Sequence, residues 1–305
     1  MPDAARRLAN AMWNEPYLLL GLTALFWAGN AVAGRAAVGE VSPFLLTFLR
    51  WFVVAGVVVA CARNELAAAW PTLKGRLAYL FVMGVVGFTA FNTLFYVAAH
   101  TTTAVNLGII QGAMPVFVML GAFLVFGTRI VPVQALGVGV TLVGVVIVAT
   151  AGDVGRLLEL TFRQGDLLML LASLFYAGYA VFLRKKPDVP GLVFFGALAI
   201  SALIASLPMV AWEAATGRIT APSPVGWAIV AYVALFPSFL AQIFFIRGVE
   251  LIGAGRAGVF VNLLPVFAPL LAVAILGEAL EVYHLVALAL VLGGIWMAER
   301  GRHAI

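Results

Sequence analysis

PVFVMLGAFLVFG, residues 115–127, returns 150 positions later as PVFAPLLAVAILG, residues 265–277. Pro115, Val116, Phe117, Leu120, Ala122 and Gly127 recur as Pro265, Val266, Phe267, Leu270, Ala272 and Gly277, and Leu142 and Gly144 recur as Leu292 and Gly294 at the same offset. LFWAGNAV, from Leu25 to Val32, returns as LFYAGYAV, from Leu174 to Val181, 149 positions on, and Arg35 and Arg184 close the two. One short apolar match is within the reach of chance. Nearly constant offsets at opposite ends of a unit mark a duplication, here into residues 1–151 and 152–305.

Composition says what the unit is. Of 305 residues, 64% are hydrophobic and 10% charged, and mean hydropathy is +1.10; a soluble domain carries about 25% charged residues. The charges fall in short gaps between apolar runs, each long enough to cross ~30 Å of hydrocarbon as a helix. Ten spans are expected, at residues 17–38, 42–61, 77–98, 104–126, 132–150, 166–184, 191–211, 225–246, 256–276 and 282–298. The first is too long for a secretory signal and lacks a small-residue cleavage pattern, so a retained span is expected. The longest links, residues 62–76, 151–165 and 212–224, are too short to fold alone. Five spans per copy is an odd number, so the second copy enters the membrane from the opposite side. The expected fold class is therefore all-α integral membrane, with ten transmembrane helices as two inverted five-helix repeats. Exchange of conformation between such copies is the geometry of alternating access.

A net charge of +5 and a pI near 9.7 would raise nucleic-acid binding in a soluble chain. Here the basic excess lies in the links, and no nucleic-acid partner is expected. With the N-terminus cytoplasmic, that side holds 13 basic residues: Arg6, Arg7, Arg63, Lys74, Arg76, Arg129, Arg184, Lys185, Lys186, Arg247, Arg256, Arg300 and Arg302. The other side holds 4, namely Arg35, Arg156, Arg163 and Arg218, so both termini are expected in the cytoplasm. The lone cysteine, Cys61, excludes an intrachain disulfide and a multi-cysteine metal site.

On Trp27-Ala28-Gly29-Asn30, on Arg50 in the second span and on the proline-bearing helices that close with Gly277-Glu278, the chain resembles the EamA-type branch of the ten-helix drug/metabolite transporters. The resemblance covers essentially the whole chain and looks closest to the bacterial aromatic amino acid exporters. It implies a multi-pass exporter of amino acids, aromatic and other neutral ones, in the bacterial inner (plasma) membrane. Small-molecule substrate and membrane lipids are the expected partners, a monomer the expected functional unit, and no cofactor or metal is expected. One departure is Gly127-Thr128-Arg129, where such families often have Gly-Glu, which leaves Glu278 alone to fill any role of that glutamate.

A solute path needs polar or aromatic groups facing the bundle interior, and positions polar in both copies are the better candidates. Asn92 pairs with Gln242, each followed three residues later by Phe95 or Phe245; Trp27 and Asn30 pair with Tyr176 and Tyr179. Tyr96, Gln111 and Asn262 complete the candidate substrate-binding set, and Asn106 adds a further amide. The bland alternative is that such amides hydrogen-bond neighbouring helices and that the rings are core packing. Pro115 and Pro265 remove a backbone donor and free the carbonyls of Gln111 and Val261; Pro237 matches Gly87. These four are candidate hinges, the alternative being static kinks. Arg50 needs a partner inside the membrane; helix-end carbonyls are the expected one, a substrate carboxylate the alternative.

The acidic residues and His100, His284 and His303 fall in links or at span ends. Transport down a gradient is expected, or coupling through a group near a helix end such as Glu278 or His100. A metal hydrolase or a prenyl transferase would need ligand clusters the sequence lacks, and serine or cysteine nucleophiles lack an intramembrane base, so no enzyme is expected. A flippase or a carrier of a sugar or lipid conjugate is the competing transport class; it would need basic residues near a head-group site, where only Arg50 and Arg35 are available.

Overall fold

The computed structural model describes residues 12–153, 155 and 162–300; Arg6, Arg7, Arg156, Arg302 and His303 lie outside them. Among the described residues, ten helices are long and apolar enough to cross a membrane: α1 Pro16–Ala36, α2 Pro43–Lys74, α3 Leu77–Ala98, α4 Ala104–Phe126, α5 Pro132–Ala149, α6 Gln164–Lys185, α7 Gly191–Ala215, α8 Pro224–Ile252, α9 Arg256–Leu276 and α10 Val282–Glu299. Proline in the first turn opens α1, α2, α5 and α8, where its missing N–H has no intrahelical partner to lose. Gly127 and Gly277 close α4 and α9 in the same left-handed conformation, φ 63° and 65°. The duplicated sequence has thus folded into a duplicated helix ending.

Residues 62–74, expected as a link, are helical. The backbone kinks at Ala62 (φ −130°, ψ 26°) and α2 continues to Lys74. Ala62, Leu66, Ala69 and Leu73 recur at helical spacing and turn one apolar stripe onto the core shared with α7, while Arg63, Glu65 and Lys74 stay exposed. Hydropathy falls below that of a membrane span there because half the surface is wet, not because the helix ends.

Two pairs of spans are irregular at matching places. Val85–Ala90 in α3 and Ala234–Leu240 in α8 are π-helical and contain the candidate hinges Gly87 and Pro237. α4 breaks between Gln111 and Met114, and α9 passes through a 3₁₀ turn at Phe260–Leu263. Pro115 and Pro265 stand in the first turn of the second pieces. Irregular backbone in a membrane is tolerated where it is buried or lines a cavity.

The copies interdigitate. α5 packs on α10, α2 on α7, α1 on α8 and α9, α3 on α6 and α4 on α9, so neither copy has a core of its own. The α5–α10 crossing depends on small residues: a Cβ added to Gly137 would lie 2.5 Å from the Gly294 carbonyl oxygen. The alternation of spans gives the bundle a near face, where α1 begins, and a far face, where α2 begins. Exposed tryptophans sit at both, with Trp13, Trp70 and Trp296 near and Trp212 and Trp227 far, as in the aromatic belts of membrane proteins.

Candidate functional site

The irregular segments converge on one cavity of about 400 Å³, within the range of small-molecule sites. Its wall takes Trp27 and Asn30 from α1, Arg50 and Trp51 from α2, Gly87, Phe88, Phe91 and Asn92 from α3, and Gln111 and Pro115 from α4. The second copy supplies Tyr176 and Tyr179 from α6, Pro237, Gln242 and Phe245 from α8, Val261 and Asn262 from α9, and Glu299 from α10. Leu183 and Glu299 at the near ends of α6 and α10, with Gly258 at the near start of α9, belong to the same wall. The cavity therefore reaches the near face. Its deepest cation, Arg50, stands seven residues into α2, about 10 Å from the far face at 1.5 Å per residue.

Of the nine substrate-site residues expected from sequence, eight line this cavity. Tyr96 does not. It is 1% exposed, behind the wall, where its hydroxyl sits 2.6 Å from Arg50 Nη1 and donates to Asn30 Oδ1 at 3.1 Å. Among the candidate hinges, Gly87, Pro115 and Pro237 line the cavity, whereas Pro265 packs against Gly112. Asn106 is also elsewhere, in the far-face seal described below. Phe245 faces the cavity and meets Trp27 at 5.4 Å between centroids, but its repeat mate Phe95 is fully buried in the core.

The walls are aromatic and the polar groups few. Trp51 stacks on Phe88 at 4.6 Å and 3°; Phe88 meets Tyr179 at 5.5 Å, Tyr179 meets Tyr176 at 5.5 Å, and Tyr176 meets Phe91 at 5.2 Å. Gly87 makes this possible, since a Cβ there would run into the Tyr179 ring. Trp27 Nε1 donates to the Pro237 carbonyl at 3.0 Å, so the proline on one copy's π segment is tied to the other copy's first span. Asn92 donates to the Phe88 carbonyl at 2.7 Å, and Asn262 donates to Glu299 Oε1 at 2.9 Å.

Arg50 is bound by side chains, not by the helix-end carbonyls expected from sequence. Asn30 Oδ1 accepts from its Nη1 at 3.0 Å, and Tyr96 is the second partner. The reason is position: Arg50 stands seven residues inside α2, away from the helix ends, where the amide of α1 and the phenol of α3 reach it. Trp51 and Glu299 were not found by the search for paired polar spans: Trp51 has only the small Ser201 at the 150-residue offset and Glu299 has Ala149. A polar residue at a helix position facing Arg50 or Asn262 was the signal available.

The far face is closed by carboxylates on helix N-termini. Glu278 accepts from the backbone N–H groups of Ala104 (2.9 Å) and Val105 (3.0 Å) at the start of α4. Glu213 accepts from Ser42 Oγ (2.7 Å) and from the N–H groups of Phe44 (3.3 Å) and Leu45 (3.0 Å) at the start of α2. Fully buried Asp166 accepts from the Thr102 hydroxyl and from Asn106 Nδ2, whose Oδ1 meets His284 Nε2 at 3.0 Å. Arg35 donates to the Ala99 carbonyl at 2.8 Å. Each bond joins the two copies or adjacent spans, and each anion sits where a helix dipole favours it. His100, in the α3–α4 link, is held below the usual imidazole range by burial and by Arg35, against an upward pull from Glu213.

This arrangement has known relatives. The chain is 25% identical over 287 residues to the uncharacterized transporter YyaM of Bacillus subtilis, covering 92% of each chain. It is 26% identical over 291 residues to the aromatic amino acid exporter YddG of Ancylobacter novellus, covering 92% of this chain and 96% of that one. A solved crystal structure at 23% identity superposes with a TM-score of 0.64 over 92% of this chain and 95% of its own, which shows the same fold. The profile of the EamA-like transporter family matches residues 15–150 and again residues 163–299, one match per five-helix copy. This chain, a multi-pass membrane protein, belongs to the EamA-like transporter family.

Proposed function

We propose that the protein exports small zwitterionic metabolites, aromatic and other neutral amino acids first among them, by alternating access of the central cavity between its two repeats, residues 1–151 and 152–305. The observation that carries this is the chemistry of the wall. Asn92 Oδ1, Gln111 Oε1 and Asn262 Oδ1 are buried acceptors with no hydrogen-bond partner in the protein. A buried polar atom left unpaired costs about 1–3 kcal/mol, which an ammonium group with three N–H donors returns. The aromatic surface of Trp27, Phe88, Phe91, Tyr176 and Tyr179 beside them suits an apolar or planar side chain. The exporter named among the relatives supports the same substrate class.

The basic residues support the orientation. Among the described residues, Arg63, Lys74, Arg76, Arg129, Arg184, Lys185, Lys186, Arg247, Arg256 and Arg300 lie at the near face, and only Arg35, Arg163 and Arg218 at the far face. The near face is then cytoplasmic, both termini lie on that side of a bacterial inner membrane, and the cavity opens toward the cytoplasm. Substrate enters there, the copies exchange conformations about the π segments and the α4 and α9 breaks, and the far-face seal opens. A single chain contains the whole path, so the protein acts as a monomer embedded in lipid, without chemistry on its cargo.

The test is counterflow in proteoliposomes of purified protein with a panel of amino acids, repeated with Asn92→Ala and Gln242→Ala. Each substitution should raise the half-saturating concentration about 2- to 10-fold, the worth of one hydrogen bond. Flux of an amino acid unchanged by both would remove this site; absence of flux for every solute would remove the reading.

A further inference from the structure

We infer that Arg50 and Trp51 form a carboxylate subsite at the deep end of the cavity, so that the protein selects solutes carrying a carboxylate and rejects their decarboxylated amines. The inference rests on the transport reading for its physiological meaning, though the subsite is testable by binding alone.

Arg50 is 6% exposed and Trp51 2% exposed, and both line the cavity. Each carries a buried donor that no protein atom accepts, Arg50 Nε and Trp51 Nε1. The two groups are in contact, with the guanidinium carbon 5.4 Å from the Trp51 ring centroid. Guanidinium and indole nitrogens can only donate, so what completes them must be an acceptor. Two unfilled donors, on neighbouring side chains that line the same cavity, suit the oxygens of a carboxylate, an acceptor-only group.

Charge points the same way. A guanidinium brings a positive charge, and the two protein partners of Arg50, Asn30 and Tyr96, are uncharged side chains. Among the described residues no carboxylate forms an ion pair with Arg50, whereas Arg247 pairs with Glu250 at the surface. The other charged group of the cavity wall, Glu299, stands at the mouth, bound to Asn262. A buried cation without a counter-ion is costly, and an arriving anion relieves that cost. Asn30 and Tyr96 hold Nη1, and the Trp51 ring is fixed by stacking on Phe88 at 4.6 Å, so both donors are preorganised. The unpaired amide oxygens of Asn92, Gln111 and Asn262 then take the ammonium of the same solute, which fixes its polarity in the cavity.

The experiment measures binding by isothermal titration in detergent and counterflow in proteoliposomes, with phenylalanine, 3-phenylpropionate and 2-phenylethylamine. The variants are Trp51→Phe, which keeps the ring stack and removes one donor, and Arg50→Lys, which keeps the charge and removes the fork. The wild type should bind phenylalanine and 3-phenylpropionate at least about tenfold more tightly than the amine, the worth of a charge-assisted bond. Trp51→Phe and Arg50→Lys should each weaken both carboxylates about 3- to 30-fold and leave the amine unchanged. Amine binding equal to phenylalanine binding, or losses shared equally by all three compounds in the well-folded Trp51→Phe protein, would overturn the subsite while leaving transport intact. Carboxylate binding with no flux of any solute would keep the subsite and overturn the transport reading. Binding of none of the three compounds would overturn the subsite outright.

Discussion

Glu278→Gln should loosen the far face and speed its opening. The carboxylate takes two backbone N–H groups, at 2.9 and 3.0 Å, from the first turn of α4, and thereby pins the α9–α10 turn of one repeat to a helix of the other. Glutamine keeps one carbonyl acceptor and presents an amide N–H₂ to the second donor, so one bond is lost, the other loses its charge, and the favourable interaction with the helix dipole disappears. Hydrogen bonds to charged groups contribute about 1.5–3 kcal/mol and the dipole about 0.3–1 kcal/mol. Allowing for rehydration of the groups in the open state, a net shift of about 1–3 kcal/mol is expected, equivalent to a 5- to 150-fold change in the ratio of open to closed. The assay is labelling of Ala104→Cys in a Cys61→Ser background by a membrane-impermeant maleimide. Ala104 is fully buried under the Glu278 cap, so its labelling rate reports opening of this face. Adding Glu278→Gln should raise that rate by at least about fivefold, whereas Glu250→Gln, at an exposed surface pair, should not. A rate unchanged or lowered by Glu278→Gln would refute the reasoning that this carboxylate closes the far face.

Gly294→Ala places a Cβ 2.5 Å from the Gly137 carbonyl oxygen and 2.7 Å from Thr141 N, whereas Gly293→Ala meets nothing within 4 Å. Thermal unfolding should show the first destabilised by about 1–3 kcal/mol and the second not destabilised. Glu213→Ala strands two backbone donors and the Ser42 hydroxyl at the start of α2; a loss of about 1–3 kcal/mol is expected, read by the same melts. Gly87→Ala drives a methyl into the Tyr179 ring, so counterflow should fall more than thermal stability does. The lowered His100 pKa means that the folded state prefers the neutral ring. Its contribution is present above the unfolded value of about 6.5 and is lost as pH falls through the lower folded value. Melts taken from about pH 8 to about pH 5 should therefore drop less steeply at the acid end in His100→Gln than in the wild type.

The fold was legible because a bilayer makes a simple demand. Each span must be apolar over its length, so hydropathy places all ten spans, and the recurrence of Pro115–Gly127 as Pro265–Gly277 exposes the duplication whether or not the helices are seen. The same recurrence located the shared half of the cavity, since Trp27, Asn30, Tyr176, Tyr179, Asn92 and Gln242 sit at equivalent places and all face it. What the repeat could not reveal is whatever the copies do differently. Tyr96 follows Asn92 by one helical turn, yet it lies behind Arg50 rather than in the wall, and helical spacing alone does not distinguish those depths. Glu278 has Thr128 as its mate, so its role as a cap on α4 appears only when spans 174 residues apart are brought together. Hydropathy and self-similarity are properties of the chain read along its length, and they determined the spans and the copies. The partners of Arg50, the unpaired donors of Arg50 and Trp51, and the face that is sealed depend on distances between helices, and only the packing of the two copies against each other decided them.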